Sequence, residues 1–247
     1  MQDLAICIPT YNEAENIGPL LEQLRSLYAY PLLIVIDDGS TDGTIEIVEQ
    51  IKARLPNILL LRRPKKDGLG QAYRAGFQLA LGRGARFVCQ MDGDLSHPPE
   101  YILPLYDAIH GADLVIGSRY IPGGACEGWA WHRRTLSKLG NLYARAFVSK
   151  AVHDLTGGFN MWRREALQSI DWTAINSRGY AFQVELKAQT LAARLRVSEI
   201  PIRFLERAGS SSKMTLRIIC EAVLRIPTMR YSRRNSGAHL SAIPTLK

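Results

Sequence analysis

Apolar positions fall along this chain in two alternating rhythms. Short, mainly apolar runs, Leu4 to Ile8, Leu32 to Ile36, Ile58 to Leu61, Phe87 to Met91 and Asp113 to Ile116, read as buried strands. Between them the spacing turns helical. Asn12 is placed to cap a helix running to about Leu27, with Ile17, Leu20, Leu21 and Leu24 on one face. Thr41 or Asp42 caps the next, to about Ala53. Further helices are expected over about Leu69–Leu81 and Pro99–Ile109. Strands without polar alternation, separated by helices, predict an α/β fold: a mostly parallel sheet with helices on both faces.

After Arg119 the pattern loosens. Gly123-Gly124 and the stretch Trp129 to Arg134 read as a loop, followed by a helix over about Leu136–Val148. Later come a helix near Gln183–Ala193 and a strand around Val197–Phe204. No internal repeat or low-complexity linker interrupts the chain. The segment past Tyr231 is polar and reads as a frayed tail.

In open α/β sheets ligands sit beyond the carboxyl ends of the strands. The strand ends here carry Pro9-Thr10-Tyr11-Asn12-Glu13, Asp37-Asp38-Gly39-Ser40-Thr41-Asp42, Asp92-Gly93-Asp94 and Gly117-Ser118-Arg119-Tyr120. A dinucleotide site would need Gly-x-Gly-x-x-Gly after the first strand, and none is there. Gly68-Leu69-Gly70 follows the third strand and matches weakly; a phosphate-binding Gly-x-x-x-x-Gly-Lys loop is missing too. The paired acids Asp92 and Asp94 suit a hard divalent cation shared with substrate phosphates. A turn that caps the helix after Pro98 is the alternative for these two residues alone.

Composition narrows the partners. The 247 residues carry a net charge of +8, which favours anions: nucleotides, phosphates, acidic lipids or nucleic acid. Seven basic residues and one acid lie between Arg207 and Arg234. Cys7, Cys89, Cys126 and Cys220 are scattered without zinc spacing, and they read as reduced thiols of a cytoplasmic protein. The start shows no signal-peptide pattern, and no apolar run is long enough to span a bilayer. No aromatic stacking stripe or nucleic-acid motif accompanies the charge, so nucleic acid is not expected as a partner.

Together, Pro9-Thr10-Tyr11-Asn12-Glu13, Asp37 to Asp42, Asp92-Gly93-Asp94-Leu95-Ser96-His97-Pro98-Pro99-Glu100 and Gly117-Ser118-Arg119-Tyr120 resemble the inverting family 2 glycosyltransferases of GT-A fold. Within them the chain is most similar to the polyprenol (dolichol) monophosphate mannose synthases. Later blocks of the resemblance are Trp131 to Arg134, Asp154 to Phe159, Gly179 to Gln183 and Arg207 to Lys213. The resemblance implies transfer of mannose from GDP-mannose to a polyprenyl monophosphate, with Mg2+ or Mn2+ as cofactor. UDP-glucose or another sugar nucleotide is the alternative donor, and a basic lipid- or nucleic-acid-binding module the non-enzyme alternative.

By position, the resemblance assigns Pro9, Tyr11, Glu13, Ile36 and Asp38 to the nucleotide, Asp92 and Asp94 to the metal, and Gly93 to a place against the nucleotide. It assigns Arg119 and Arg133 to the phosphates with Ser137 assisting, so that Asp94, Arg119 and Arg133 form the catalytic set. Arg207 and Lys213 would close over the donor diphosphate. Ser96 stands where some relatives carry Gln, and the glycine between Arg207 and Lys213 is shifted by one. His97 is expected to fix its loop, Asp154 to orient Arg133 or cap the turn after it, and Trp129 and Trp131 to flank a lipid entrance or be buried.

The chain thus divides into a catalytic domain over 1–212, a basic amphipathic helix over 213–231 and a flexible tail over 232–247. The helix is expected to lie in a membrane interface, to pack on the domain, or both, with Pro227 kinking or ending it. The resulting picture is a peripheral protein on the cytoplasmic face of a membrane, or one that borrows a separate membrane-anchoring partner.

Overall fold

The computed structural model describes residues 1–28, 30–177, 179, 181–206 and 222–229. Its elements begin with β1 (Leu4–Thr10), α1 (Ala14–Leu27), β2 (Leu32–Asp37), α2 (Thr44–Lys52), β3 (Ile58–Arg62), α3 (Leu69–Gly82) and β4 (Phe87–Gln90). They continue with α4 (Ile102–Ala108), β5 (Leu114–Ser118), β6 (Ala125–Cys126), α5 (Trp131–Phe147), β7 (Asn160–Arg163), α6 (Arg164–Ser169), α7 (Ala181–Ala192), β8 (Val197–Pro201) and β9 (Arg203–Phe204). Short 3-10 turns, Pro99–Tyr101 and Ile109–Gly111, flank α4.

Seven strands form one sheet in the order β3-β2-β1-β4-β7-β5-β8, and β6 pairs with β9 beside it. Every pairing in the large sheet is parallel except those of β7, which runs antiparallel to both β4 and β5. One buried cluster lies on each face. The first gathers Ile34, Ile36, Phe77, Val88 and Phe182; the second gathers Ile6, Ile8, Leu20, Val35 and Met161. The expected α/β architecture is therefore present, with both faces covered.

β7 is the strand the periodicity does not announce. Its buried Asn160 breaks the apolar run, and it enters the sheet between two strands that precede it by more than forty residues. Asn160 Nδ2 donates to Gln90 Oε1 at 3.1 Å, Trp162 Nε1 donates to the same oxygen at 3.2 Å, and Gln90 Nε2 donates to Gln183 Oε1 at 2.9 Å. Buried amides are tolerated when they satisfy one another. Arg163 at the end of β7 fixes the strand further, donating to the carbonyls of Ala112 and Ile109 at 3.2 and 2.8 Å.

The helix starts also differ from expectation. Asn12 does not cap α1: it sits at φ 54°, and its Oδ1 accepts from the Thr41 amide at 3.0 Å. The cap comes from the next loop, where Asp42 Oδ2 accepts from Ala14 N–H at 3.0 Å and Thr44 Oγ1 from Glu13 N–H at 2.9 Å. The N-cap position of α2 is Gly43, at φ 98°, rather than Thr41 or Asp42. α5 begins at Trp131, so the stretch read as loop from Trp129 to Arg134 is partly its first turn. The single late strand divides at the buried Ile202 into β8 against β5 and β9 against β6.

Residues 222–229 are helical through Pro227, which neither ends nor breaks the segment within the described residues. Ile226 and Met229 are buried in the first cluster, and Tyr143 Oη donates to the Val223 carbonyl at 2.8 Å. This part of the expected 213–231 helix packs on the domain. The rest of that helix and the 232–247 tail lie outside the described residues.

Close helix–sheet contact sets one sharp requirement. A Cβ at Gly76 would stand 2.8 Å from Ile36 Cδ1 and 3.2 Å from Cys7 Sγ, whereas one at Gly140 in α5 would meet nothing within 4 Å. Gly76→Val should cost about 1–3 kcal/mol through overpacking. Gly140→Ala should gain roughly 0.5–1 kcal/mol from helix propensity. Urea denaturation midpoints of the two variants should move in opposite directions; a shift of the same sign in both would refute this packing account.

Candidate active site

The strand ends of β1, β2 and β4 meet in one polar edge. Asp37, wholly buried at the end of β2, organises the first part. It accepts from Thr10 Oγ1 at 2.9 Å, from Ser40 Oγ at 2.6 Å, and from the amides of Gly39 and Ser40 at 3.0 and 2.8 Å. The loops after β1 and β2 are thereby tied to each other as well as to the helices they start.

Asp38, the neighbouring acid, meets Arg63 with Nη1 donating to Oδ1 at 2.6 Å. Burial raises the Asp38 pKa, and the attraction of Arg63 offsets this only in part. Of the residues expected to hold a nucleotide, Tyr11 lies half-buried with Lys66 Nζ 3.9 Å from its ring centroid, and Glu13 is buried with its carboxylate accepting from Asn16 Nδ2 at 2.9 Å. Pro9 is half-buried beside Gly93, where an added Cβ would stand 3.2 Å from the Pro9 carbonyl oxygen. Gly93 is thus required by the close approach of β1. The Ile36 side chain is fully buried against α3, so only its backbone could meet a nucleotide.

Asp92 and Asp94 leave β4 on a short turn in which Leu95 adopts φ 63°. Tyr73, from the buried face of α3, donates its hydroxyl to Asp92 Oδ1 at 3.1 Å. Ser96 donates to Asp94 Oδ1 through its amide at 3.2 Å and its hydroxyl at 2.5 Å. The Asp92 side chain keeps about a third of its surface exposed, at 32%. Among the described residues no group of three or more His, Cys, Asp or Glu gathers as a metal cage. Two carboxylates at one strand end are the donor set expected for Mg2+ or Mn2+ that completes its shell with phosphate oxygens. The residues present fit such an ion.

His97 is fully buried, and the Asp92 amide donates to its Nδ1 at 3.0 Å. An Nδ1 that accepts must be unprotonated, and burial lowers the His97 pKa, ahead of the opposing pull of Asp92 and Asp94. The ring is therefore a neutral brace, stacked on Phe159 at 4.9 Å, and its 4.0 Å approach to Asp92 Oδ2 is not an ion pair.

Both arginines have acidic partners. Arg119 is buried and bidentate on Asp154, with Nε–Oδ2 and Nη2–Oδ1 both 2.8 Å, and Nη2 also donates to Thr156 Oγ1 at 2.9 Å. These contacts engage Nε and Nη2 and fix the plane of the guanidinium against Asp154. Asp154 does not orient Arg133. It does cap the following turn, accepting from the Gly157 amide at 2.8 Å. Arg133 lies at the rim, with Nη1 donating to Glu206 at 3.0 Å and its guanidinium 4.3 Å above Trp129. Ser137 shares a 2.7 Å hydrogen bond with the Tyr120 hydroxyl. Trp129 is buried and Trp131 exposed. Arg207 and Lys213 lie outside the described residues.

Sequence reasoning missed three members of this site. Tyr73 stands on the apolar face of α3 and reaches Asp92 with its polar tip. Arg63 follows β3 and meets Asp38. Lys187, buried on α7, donates to the carbonyls of Gly157 and Leu155 at 2.5 and 3.3 Å. Burial brings its pKa down to about 7 despite Asp154 nearby. The legible signal was spacing: Gln183 and Lys187 are four residues apart on a helix whose neighbouring positions are apolar.

Burial alone would raise the Asp154 pKa, but Arg119 outweighs it, helped by Lys187, and holds it at about 2. The stability this contributes is complete above the ordinary carboxylate range near pH ~4 and is lost as pH falls through about 2. Asp154→Asn should destabilise the fold by about 3–5 kcal/mol at pH 7, because it strands a buried guanidinium. Urea melts at pH 7, 4 and 2 should show that deficit shrinking below pH ~4; a deficit that stays constant across the range would contradict the assignment.

The glycosyl transferase family 2 profile matches residues 5–171. Polyprenol monophosphomannose synthase of Mycolicibacterium smegmatis is 40% identical over 227 residues, covering 91% of this chain and 86% of that protein. Undecaprenyl-phosphate mannosyltransferase of Micrococcus luteus is 40% identical over 230 residues, covering 93% and 95%. Among solved structures, glucosyl-3-phosphoglycerate synthase from Mycobacterium tuberculosis, in complex with Mn2+, UDP and phosphoglyceric acid, superposes with a TM-score of 0.65. It shares 20% identity, over 95% of this chain and 79% of that one, and its likeness is one of fold. With the matched profile spanning well over half of the 247 residues and two relatives at 40% identity, the chain belongs to glycosyl transferase family 2.

Proposed function

We propose that this glycosyltransferase moves mannose from GDP-mannose to a polyprenyl monophosphate, with inversion at the sugar carbon. The observation that carries the reading is that two relatives, each 40% identical over more than nine-tenths of this chain, are named for polyprenol-linked mannose transfer. The chemistry of the strand ends supports it. Asp92 and Asp94 would hold Mg2+ or Mn2+, which would supply charge stabilisation to the departing nucleoside diphosphate. Tyr73 and Ser96 orient these two carboxylates, and His97 holds the Asp92 backbone.

The tied loops of Thr10 to Glu13 and Asp37 to Asp42 form the wall on which the base and ribose would lie, with Tyr11, Glu13 and Asp38 nearest. A lipid monophosphate is largely a dianion at neutral pH, since its second pKa is about 6. It needs orientation rather than a strong base, in keeping with a neutral His97. Arg119 and Arg133 would receive that phosphate, with Ser137 assisting from the helix that carries Arg133. Arg207 and Lys213 would cover the donor diphosphate. The reading puts the protein at the cytoplasmic face of a membrane as a peripheral enzyme, with a separate membrane-anchoring protein as the alternative.

Radiolabelled GDP-mannose and UDP-glucose, each offered with polyprenyl phosphate and Mn2+, test it. Label should enter the lipid phase from GDP-mannose. Asp94→Ala should lower kcat/KM roughly 100-fold or more, and should remove the thermal stabilisation that GDP with Mn2+ gives the wild type. Transfer from UDP-glucose alone would overturn the donor assignment.

A further inference from the structure

The helix α5 is turned the wrong way round for a helix that only covers a core. A surface helix normally buries its apolar stripe and shows its polar side to water. In α5 Asn141 and Ala144, with Val148 at its end, are buried, and Tyr143 and Phe147 pack half-buried on the first cluster, whereas Leu136, Leu139 and Leu142 point outward. Trp131 is 77% exposed, Leu139 58%, Leu142 54% and Leu136 48%. At about 100° per residue these four share an arc of roughly 140°, opposite the domain-facing side. The helical segment 222–229 adjoins α5 through the Tyr143–Val223 hydrogen bond and adds the exposed Val223 and Leu224.

Charge accompanies this apolar face. α5 contains Arg133, Arg134, Lys138 and Arg145 and no acid, and residues 222–229 carry Arg225 and no acid. Arg134 and Arg145 donate to the carbonyls of Trp129 and Lys150, which leaves their charge unneutralised. Among the described residues, Arg134, Lys138 and Arg145 make no ion pair with a carboxylate. A second copy of this chain, itself at +8, would bring like charge to the face. An anionic lipid surface complements both features, because leucines can enter the acyl boundary while arginine and lysine stay at the headgroups.

We infer that the outward face of α5, continued by Val223 and Leu224, docks the protein on an anionic lipid surface. The start of α5 adjoins the site. Trp129 packs on Phe204 at 5.4 Å, Phe204 on His97 at 5.1 Å, and His97 holds the Asp92 backbone. Docking along α5 therefore brings the rim of the site, with Arg133, to the headgroup level, where a lipid-borne phosphate resides. The choice of a lipid partner rests on the proposed lipid-phosphate acceptor.

Co-sedimentation of the full chain with vesicles tests the docking apart from the chemistry. The wild type should bind phosphatidylcholine vesicles containing phosphatidylglycerol far better than phosphatidylcholine alone, and salt should weaken the binding. The triple variant Leu136→Ser, Leu139→Ser, Leu142→Ser should bind at least tenfold more weakly. Because three serines in one helix can lower its stability, Arg134→Glu with Lys138→Glu provides a second arm and should also lose binding. Both variants should keep transfer to a water-soluble short-chain prenyl phosphate within about twofold of wild type. Wild-type binding by both variants would overturn the inference. So would a lipid-free dimer that the triple variant converts to monomer, since the face would then belong to a second copy. If the wild type docks but cannot use any prenyl phosphate, the acceptor reading fails while the docking stands.

Discussion

A charge taken out of water must be answered where it lies, and the pair Arg119–Asp154 is where this fold meets that demand. The two side chains are buried, joined by two 2.8 Å contacts, and placed under the open edge of the sheet. Asp154 is fixed in turn by its own amide, which donates to Glu199 of β8 at 2.9 Å, and by the turn it caps at Gly157. Lys187 of α7 grips the other side of that turn. One ion pair thus connects the end of β5, the turn before β7, β8 and α7. Such a pair adds little net stability against an apolar substitute, yet it is costly to half-remove. Its value here is geometric: it sets the turn from which β7 enters the sheet.

What β7 then brings is the second polar layer. Asn160 and Trp162 share Gln90 Oε1, and Gln90 reaches Gln183 on α7. Gln90 immediately precedes Met91 and Asp92, so the acids emerge from a strand whose last residue is locked on three sides. Above it, Tyr73, Ser96 and His97 hold the Asp92 and Asp94 turn. A carboxylate pair that is held in place before a cation binds needs less reorganisation when it does.

The sequence disclosed the parts of this arrangement that repeat locally and concealed those that depend on distant partners. β1, β2 and β4 were legible because each is an apolar run bounded by turn residues, and α1 because Ile17, Leu20, Leu21 and Leu24 recur at helical spacing. β7 was not, since Asn160 looks polar until Gln90 is beside it. The caps of α1 were misread for a related reason: Asp42 and Thr44 lie close to Ala14 and Glu13 only once β1 and β2 are paired. The site acids were visible as a strand-end motif. Arg119 was visible too, but its ion pair was not, because Asp154 lies 35 residues further on. A motif gives the residue; the partner decides whether its charge faces a ligand or the interior.

That distinction redistributes the cations. Arg119 pairs with Asp154, Arg63 with Asp38, and Lys187 donates to backbone carbonyls, so these groups inside the fold build structure. Surface charge also lies on α5, beside leucines that face away from the domain. Exposed apolar side chains in a row are costly in water and are retained where something other than water meets them. If the acceptor is the proposed lipid phosphate, the same helix face can hold the lipid layer and Arg133 can stand at its edge. The interior cations make the site rigid, and the exterior ones set where that rigid site is held.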